Sequence, residues 1–131
     1  MNRIPVFISF DYQHDLETKN RLVVEWGNES CPIWIKDFSL PGAVTDHRWQ
    51  TEAAKRLDAV KAVLVICGKN THSAVGVETE VQMAFQRNKA VLFLRALHEG
   101  SSLPHGVAKN TRMIPLDWKS VYETLAPLAN K

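Results

Sequence analysis

Cysteine is almost missing from this chain: Cys31 and Cys67 are the only two in 131 residues. A disulfide scaffold is thereby excluded. Both cysteines sit in apolar stretches, where they read as small buried hydrophobes kept reduced in a cytosol. No run of about 18 apolar residues occurs, so no transmembrane helix and no membrane partner are expected. The start, Met1-Asn2-Arg3-Ile4-Pro5-Val6, reaches polar residues by Asp11 and does not read as a signal peptide; a cytoplasmic location is expected. Charge of one sign is not in excess either. Sixteen basic residues face fourteen acidic ones, net +2 with His neutral, and Lys and Arg are scattered. Proteins that neutralise nucleic-acid phosphates carry a clustered basic stripe, so nucleic acid is not an expected partner.

Several catalytic and binding signatures are missing too. His14, His47, His72, His98 and His105 show no metal spacing, and neither cysteine has a CxxC partner, so no metal is expected. Ser9 and Ser73 are the candidate nucleophilic serines, and neither lies in a GxSxG elbow. No dinucleotide GxGxxG occurs. Gly68-Lys69-Asn70-Thr71 fails as a phosphate loop, because position 63 is Val and position 70 is Asn. Gly68 reads instead as the Gly of a tight strand-to-helix bend.

What remains is an ordinary globular balance, 45% hydrophobic and 23% charged, in one domain spanning residues 1–131. Short β-branched or aromatic runs occur at Val6–Phe10, Ile33–Lys36, Ala62–Cys67, Ala90–Leu94 and Met113–Leu116. Helical spacing lies between them. Trp49, Ala53, Leu57 and Val60 share one face; so do Val77, Val81, Ala84 and Phe85, and so do Trp118, Val121, Tyr122, Leu125 and Leu128. Asp117 stands where an N-cap belongs. In His14–Trp26 the stripe of Leu16, Val23 and Trp26 is interrupted by Lys19, and Gly27-Asn28 supplies the stop. The run Glu99 to Gly106 is loop chemistry, with at most a short or irregular helix before the fifth strand. This order predicts an α/β, doubly wound, five-stranded parallel sheet, with Ala62–Cys67 buried on both faces. Ligands then bind beyond the carboxyl ends of the strands.

That edge collects carboxylates. Asp11 and Asp15 follow the first strand, Asp37 the second, and Glu78 and Glu80 open the third helix. At about 100° per residue, Glu78 and Glu80 fall on opposite borders of the buried face, and periodicity alone does not choose between them. A first-turn Glu also serves the helix dipole.

Three segments in order resemble TIR domains, and are most similar to the stand-alone bacterial TIR-like proteins of Thoeris anti-phage defence. Val6-Phe7-Ile8-Ser9-Phe10 with its following acids resembles the first box, and Lys36-Asp37-Phe38-Ser39-Leu40-Pro41-Gly42 the second. Val65-Ile66 through Val81 resembles the third-strand-to-helix region with its Trp-x-x-x-Glu. The third box, Phe-Trp, is represented by Trp118 alone. The resemblance implies a flavodoxin-like fold of strand order 2-1-3-4-5 and cleavage of NAD, as substrate and with no cofactor. It implies Glu80 as the catalytic glutamate, and Phe10, Asp11, Tyr12, Asp37 and Gly76 in substrate binding. Gly76 stands where the family has Trp, so another aromatic (Trp49, Phe10 or Tyr12) is needed to line a nicotinamide pocket. The resemblance also implies homo-oligomers, an effector protein answering a cyclic ADP-ribose-type signal, a phage-derived trigger, and a loop over Asp37–Asp46 that makes domain contacts and gates the site. A chain this small is expected to hand its product to another protein. The alternative is a non-catalytic TIR-like interaction module assembling through that loop. A receiver-like domain is disfavoured, because the third strand ends at Cys67-Gly68 and not at an acceptor Asp.

Overall fold

The structure, a computed structural model, describes residues 3–42, 46–97 and 99–129. Its elements are β1 (Ile4–Ser9), α1 (Leu16–Glu25), β2 (Ile33–Phe38), α2 (His47–Asp58), β3 (Ala62–Cys67), α3 (Val75–Gln86), β4 (Ala90–Arg95), β5 (Met113–Pro115) and α4 (Trp118–Ala129). A 3-10 turn at Thr71–Ser73 precedes α3. The strands are all parallel, in the order β2-β1-β3-β4-β5. This is the flavodoxin-like α/β arrangement expected from the sequence.

Strand alternation divides the core into two layers. Val6, Ile8 and Phe10 join Leu64 and Ile66 against Leu22 of α1, Trp26 at its C-terminal cap, and Val121 and Leu125 of α4. Phe7 joins Val63, Val65 and Cys67 against Leu57 of α2 and Val77, Val81 and Ala84 of α3. Every residue of β3 is buried, as its unbroken apolar run required. The helix ends follow local chemistry. Asp117 Oδ1 accepts from the Ser120 N–H at 2.7 Å, and Asp46 Oδ1 from the Arg48 N–H at 2.8 Å.

Two expectations are corrected. Lys19 does not break the buried face of α1; it is 7% exposed and sits on that face. Its Nζ lies 3.9 Å from the Phe38 ring centroid and 5.5 Å from that of Phe10, so the ring faces replace water around the ammonium. Burial lowers its pKa. Phe85 does not join the buried face of α3 but is 52% exposed at its last turn. Between β4 and β5, where the sequence reads as loop chemistry, the described residues form no helix, and the segment is tied back onto the end of β3. The Ser102 N–H donates to the Gly68 carbonyl at 2.9 Å, and the His72 N–H to Ser102 Oγ at 3.0 Å.

Two details set the carboxyl edge. The first is a bulge in β2. Val6 pairs with Ile35, but the next residue, Phe7, pairs with Asp37, leaving Lys36 as an extra residue. One added residue turns every later side chain to the other face. Asp37 therefore faces α2, Phe38 faces α1, and Ser39, just past the strand, returns to the α3 side beside Ser9. The second is Gly68. Its backbone is not left-handed, so the tight-bend explanation fails. A Cβ there would lie 2.5 Å from Asp15 Oδ1 and 2.7 Å from Oδ2; the Gly makes room for a buried carboxyl. Asp15 is held above its ordinary pKa by that burial and then by the charge of Asp11, while His14 pulls the other way. Cys67, beneath it, is pushed up to about 12 by burial and by Asp15. Gly68→Ala is expected to cost about 1–3 kcal/mol in urea denaturation. The cost should shrink in an Asp15→Ala background, where the colliding oxygens are gone. Equal costs in both backgrounds would rule out the Asp15 contact as the reason for Gly68.

Candidate active site

A cavity of about 500 Å³ opens at the carboxyl edge, within the size range of small-molecule sites. The turn after β1 supplies Phe10, Asp11, Tyr12 and His14. The segment after β2 supplies Ser39 to Gly42, α2 supplies Trp49, and the first two turns of α3 supply Val75, Gly76, Val77 and Glu80.

Glu80 is the buried carboxyl that lines this cavity, 1% exposed. Its Oε1 accepts from Ser9 Oγ at 2.7 Å and from Ser39 Oγ at 2.5 Å. Ser39 is itself fixed: its Oγ accepts from the Phe10 N–H at 3.1 Å, and its own N–H donates to the Ile8 carbonyl at 2.9 Å. Among the described residues Glu80 Oε2 has no hydrogen-bond partner. Desolvation pushes the Glu80 carboxyl up to about 7, against the smaller opposing effect of the two hydroxyls. Such a group exchanges its proton near neutral pH, which suits acid–base or electrostatic work on a ligand.

The surroundings are aromatic and apolar. The Phe10 and Tyr12 rings lie 5.0 Å apart, tilted by 32°. Trp49 Nε1–H donates to the Leu40 carbonyl at 3.1 Å, which holds the segment after β2 against α2. Gly42, at φ +131°, lies under the Trp49 ring edge, where an added Cβ would sit 3.2 Å from it. At the N-terminus of α3, Ala74 offers no side-chain cap, so the N–H groups of Val75, Gly76 and Val77 lack partners within the helix. Those donors and the helix dipole favour an anion. Among the described residues no cluster of His, Cys, Asp and Glu could hold a metal ion.

The residues singled out in the sequence divide. Glu80, Phe10, Asp11, Tyr12 and Gly76 come together around the cavity, and Trp49 joins them. Asp11 is occupied locally: Oδ1 accepts from the Gln13 N–H at 3.1 Å and Oδ2 lies 2.6 Å from His14 Nδ1. Asp37 is not among the lining residues; the bulge turns it to α2, where Arg56 Nη1 donates to its Oδ1 at 2.5 Å. Glu78 is half-buried and lies 3.3 Å from His105 Nδ1, so the tie between the two glutamates is broken by burial: Glu80 faces in. Trp118 packs against the α1/α4 core layer. Of the Asp37–Asp46 loop, residues 43–45 lie outside the described residues. The pairing of Ser9 and Ser39 was missed. Its one signal was a polar residue at the inward end of an otherwise apolar β1; the bulge that aligns Ser39 leaves no such trace.

The family model described as the Thoeris protein ThsB, TIR-like domain, matches residues 7–99. That span includes Ser9, Ser39, Trp49 and Glu80. No curated protein sequence matches the chain. Among solved structures, a 3-dehydroquinate dehydratase-like protein from Bifidobacterium longum aligns at 17% identity over 99% of this chain and 97% of that one, with a TM-score of 0.47. No helix among the described residues is long and apolar enough to cross a membrane.

Proposed function

The chain belongs to the TIR-like domain family of the Thoeris protein ThsB, and from that premise we propose that it consumes NAD in anti-phage defence. It cleaves the nicotinamide–ribose bond and makes a cyclic ADP-ribose-type product. The observation that carries this reading is Glu80: a carboxyl held by two hydroxyls beneath an aromatic-walled cavity, with one oxygen uncommitted.

The chemistry needs little more. Nicotinamide is cationic in NAD and leaves neutral, taking the bonding electron pair onto its ring nitrogen, so no general acid is required. Positive charge develops on the ribose, as in other glycosyl transfers. An ionised Glu80 in a dry site stabilises that charge far better than water would. The nucleophile is water or, for cyclisation, a hydroxyl or ring nitrogen of the same molecule; it bonds to the anomeric carbon. Any proton it releases passes to the carboxylate or to solvent. Tyr12, which is exposed beside the cavity, and Trp49 offer the stacking wall that Gly76 does not. The uncapped start of α3 suits the diphosphate. Homo-oligomers, a trigger made on phage infection and an effector that answers the product complete the proposal. Positioning within the bound molecule chooses between hydrolysis and cyclisation.

Purified protein incubated with NAD, with and without extract of phage-infected cells, is expected to release nicotinamide. A co-product with the mass of ADP-ribose less water marks cyclisation. Absence of nicotinamide under every condition would overturn the enzyme reading in favour of a non-catalytic interaction module.

A further inference from the structure

The catalytic reading uses Glu80 but says nothing of why its two oxygens are so unequal. Oε1 receives both serine hydroxyls, at 2.7 and 2.5 Å, while Oε2 receives nothing from the described residues. The two donors come from different strands. Ser9 ends β1, and Ser39 follows β2; they are aligned because the extra residue at Lys36 turns Ser39 to the same face. Ser39 has little freedom to do anything else, since its Oγ already accepts from the Phe10 N–H. Both serines are buried, so neither hydroxyl is spending its proton on water.

We propose that Ser9 and Ser39 are positioning residues, a two-hydroxyl clamp on Glu80 Oε1 that leaves Oε2 as the single working oxygen, directed at a sugar hydroxyl of the ligand. The proposal rests on the NAD-cleaving reading for its ligand, though not for the clamp itself. In the neutral acid the clamp makes Oε1 the carbonyl-like acceptor and puts the proton on Oε2. In the anion both hydroxyls stabilise the charge, and Oε2 keeps a lone pair for an incoming hydroxyl. A ribose hydroxyl donating to Oε2 supplies the partner that the oxygen lacks. The other titratable groups lining the cavity, Asp11, Tyr12 and His14, all lie on the turn after β1, and none hydrogen-bonds Glu80 among the described residues.

The test uses Ser9→Ala, Ser39→Ala and the double variant in the full chain. Loss of one hydroxyl is expected to lower kcat roughly tenfold, with KM changed less than about twofold, because the geometry at Oε2 matters most when charge develops. Each loss moves the acidic limb of the pH–rate profile upward, since a donor to the charged form has been removed. Ser39→Thr keeps the hydroxyl and is expected to restore most of the rate. An activity-independent readout accompanies these: the carboxyl carbon resonance that vanishes in Glu80→Gln is followed against pH. Its midpoint is expected to rise in the double variant. An unmoved midpoint in folded variants, or a KM effect with kcat intact, overturns the clamp. Absent turnover in the wild-type chain overturns the enzyme reading alone, because the resonance still reports on the clamp.

Discussion

Glu80→Gln is expected to reduce nicotinamide release by roughly 10²–10³-fold and, at the same time, to flatten the protein's stability against pH. The first effect follows from removing the only buried negative charge that lines the cavity among the described residues. The second follows from linkage. In the unfolded chain the carboxyl titrates at its ordinary 4.5; in the folded chain burial pushes it up to about 7. A group whose folded pKa is raised binds its proton more tightly when folded. Its contribution is fully present below pH 4.5 and is lost as the pH rises through 7. At 1.36 kcal/mol per unit the loss is about 3 kcal/mol. Glutamine keeps an oxygen for both serine hydroxyls but cannot ionise, so it escapes that loss. Urea denaturation of wild type and variant at pH 5 and pH 8 measures the difference. The comparison must be between the two proteins, because Asp15 is also held above its ordinary value and acts in the same direction. A wild-type chain that loses no more stability than the variant over this interval would mean that Glu80 is not buried as described. On the proposed reading, a carboxyl that destabilises its own fold near neutral pH is the familiar trade between stability and activity.

The sheet and the site differed in how openly the sequence announced them. The fold was legible because its signals are short-range and repeated. The unbroken Ala62–Cys67 run sits at the centre of the sheet, and α2 buries Trp49, Ala53 and Leu57 as their spacing marked; of the α4 stripe Val121 and Leu125 are buried, while Tyr122 and Leu128 are exposed. Errors occurred where tertiary context overrides pattern. Lys19 looks polar to a periodicity count, yet two aromatic rings make its burial tolerable. Phe85 fits the stripe but falls where α3 ends and leaves the core. At the site, sequence placed the right segments at one edge but could not rank their carboxylates. The single added residue in β2 decides the matter: it sends Asp37 to Arg56 on α2 and brings Ser39 to Glu80. A bulge is a property of two paired strands, so nothing in Ile33–Phe38 by itself discloses it.

Trp49 carries the second large expected effect, and it separates stacking from scaffolding. The indole is 7% exposed, so Trp49→Ala removes a large buried ring and is expected to cost about 3–5 kcal/mol. It also frees the Leu40 carbonyl, and with it the segment that carries Ser39 toward Glu80. Trp49→Phe keeps an aromatic face while losing only the indole hydrogen bond, about 1 kcal/mol. If Trp49 provides the wall that Gly76 lacks, KM for NAD rises about tenfold or more in the Ala variant and stays within a few-fold in the Phe variant. If the residue merely braces the loop, both variants lower kcat in proportion to the disturbance at Ser39, and KM follows no aromatic rule. Kinetics should be taken well below the melting temperature of the Ala variant, with the folded fraction checked by circular dichroism. An unchanged KM in folded Trp49→Ala would remove the indole from the binding wall and leave Tyr12, whose exposed ring lies 5.0 Å from the buried Phe10 ring, as the remaining surface for the nicotinamide.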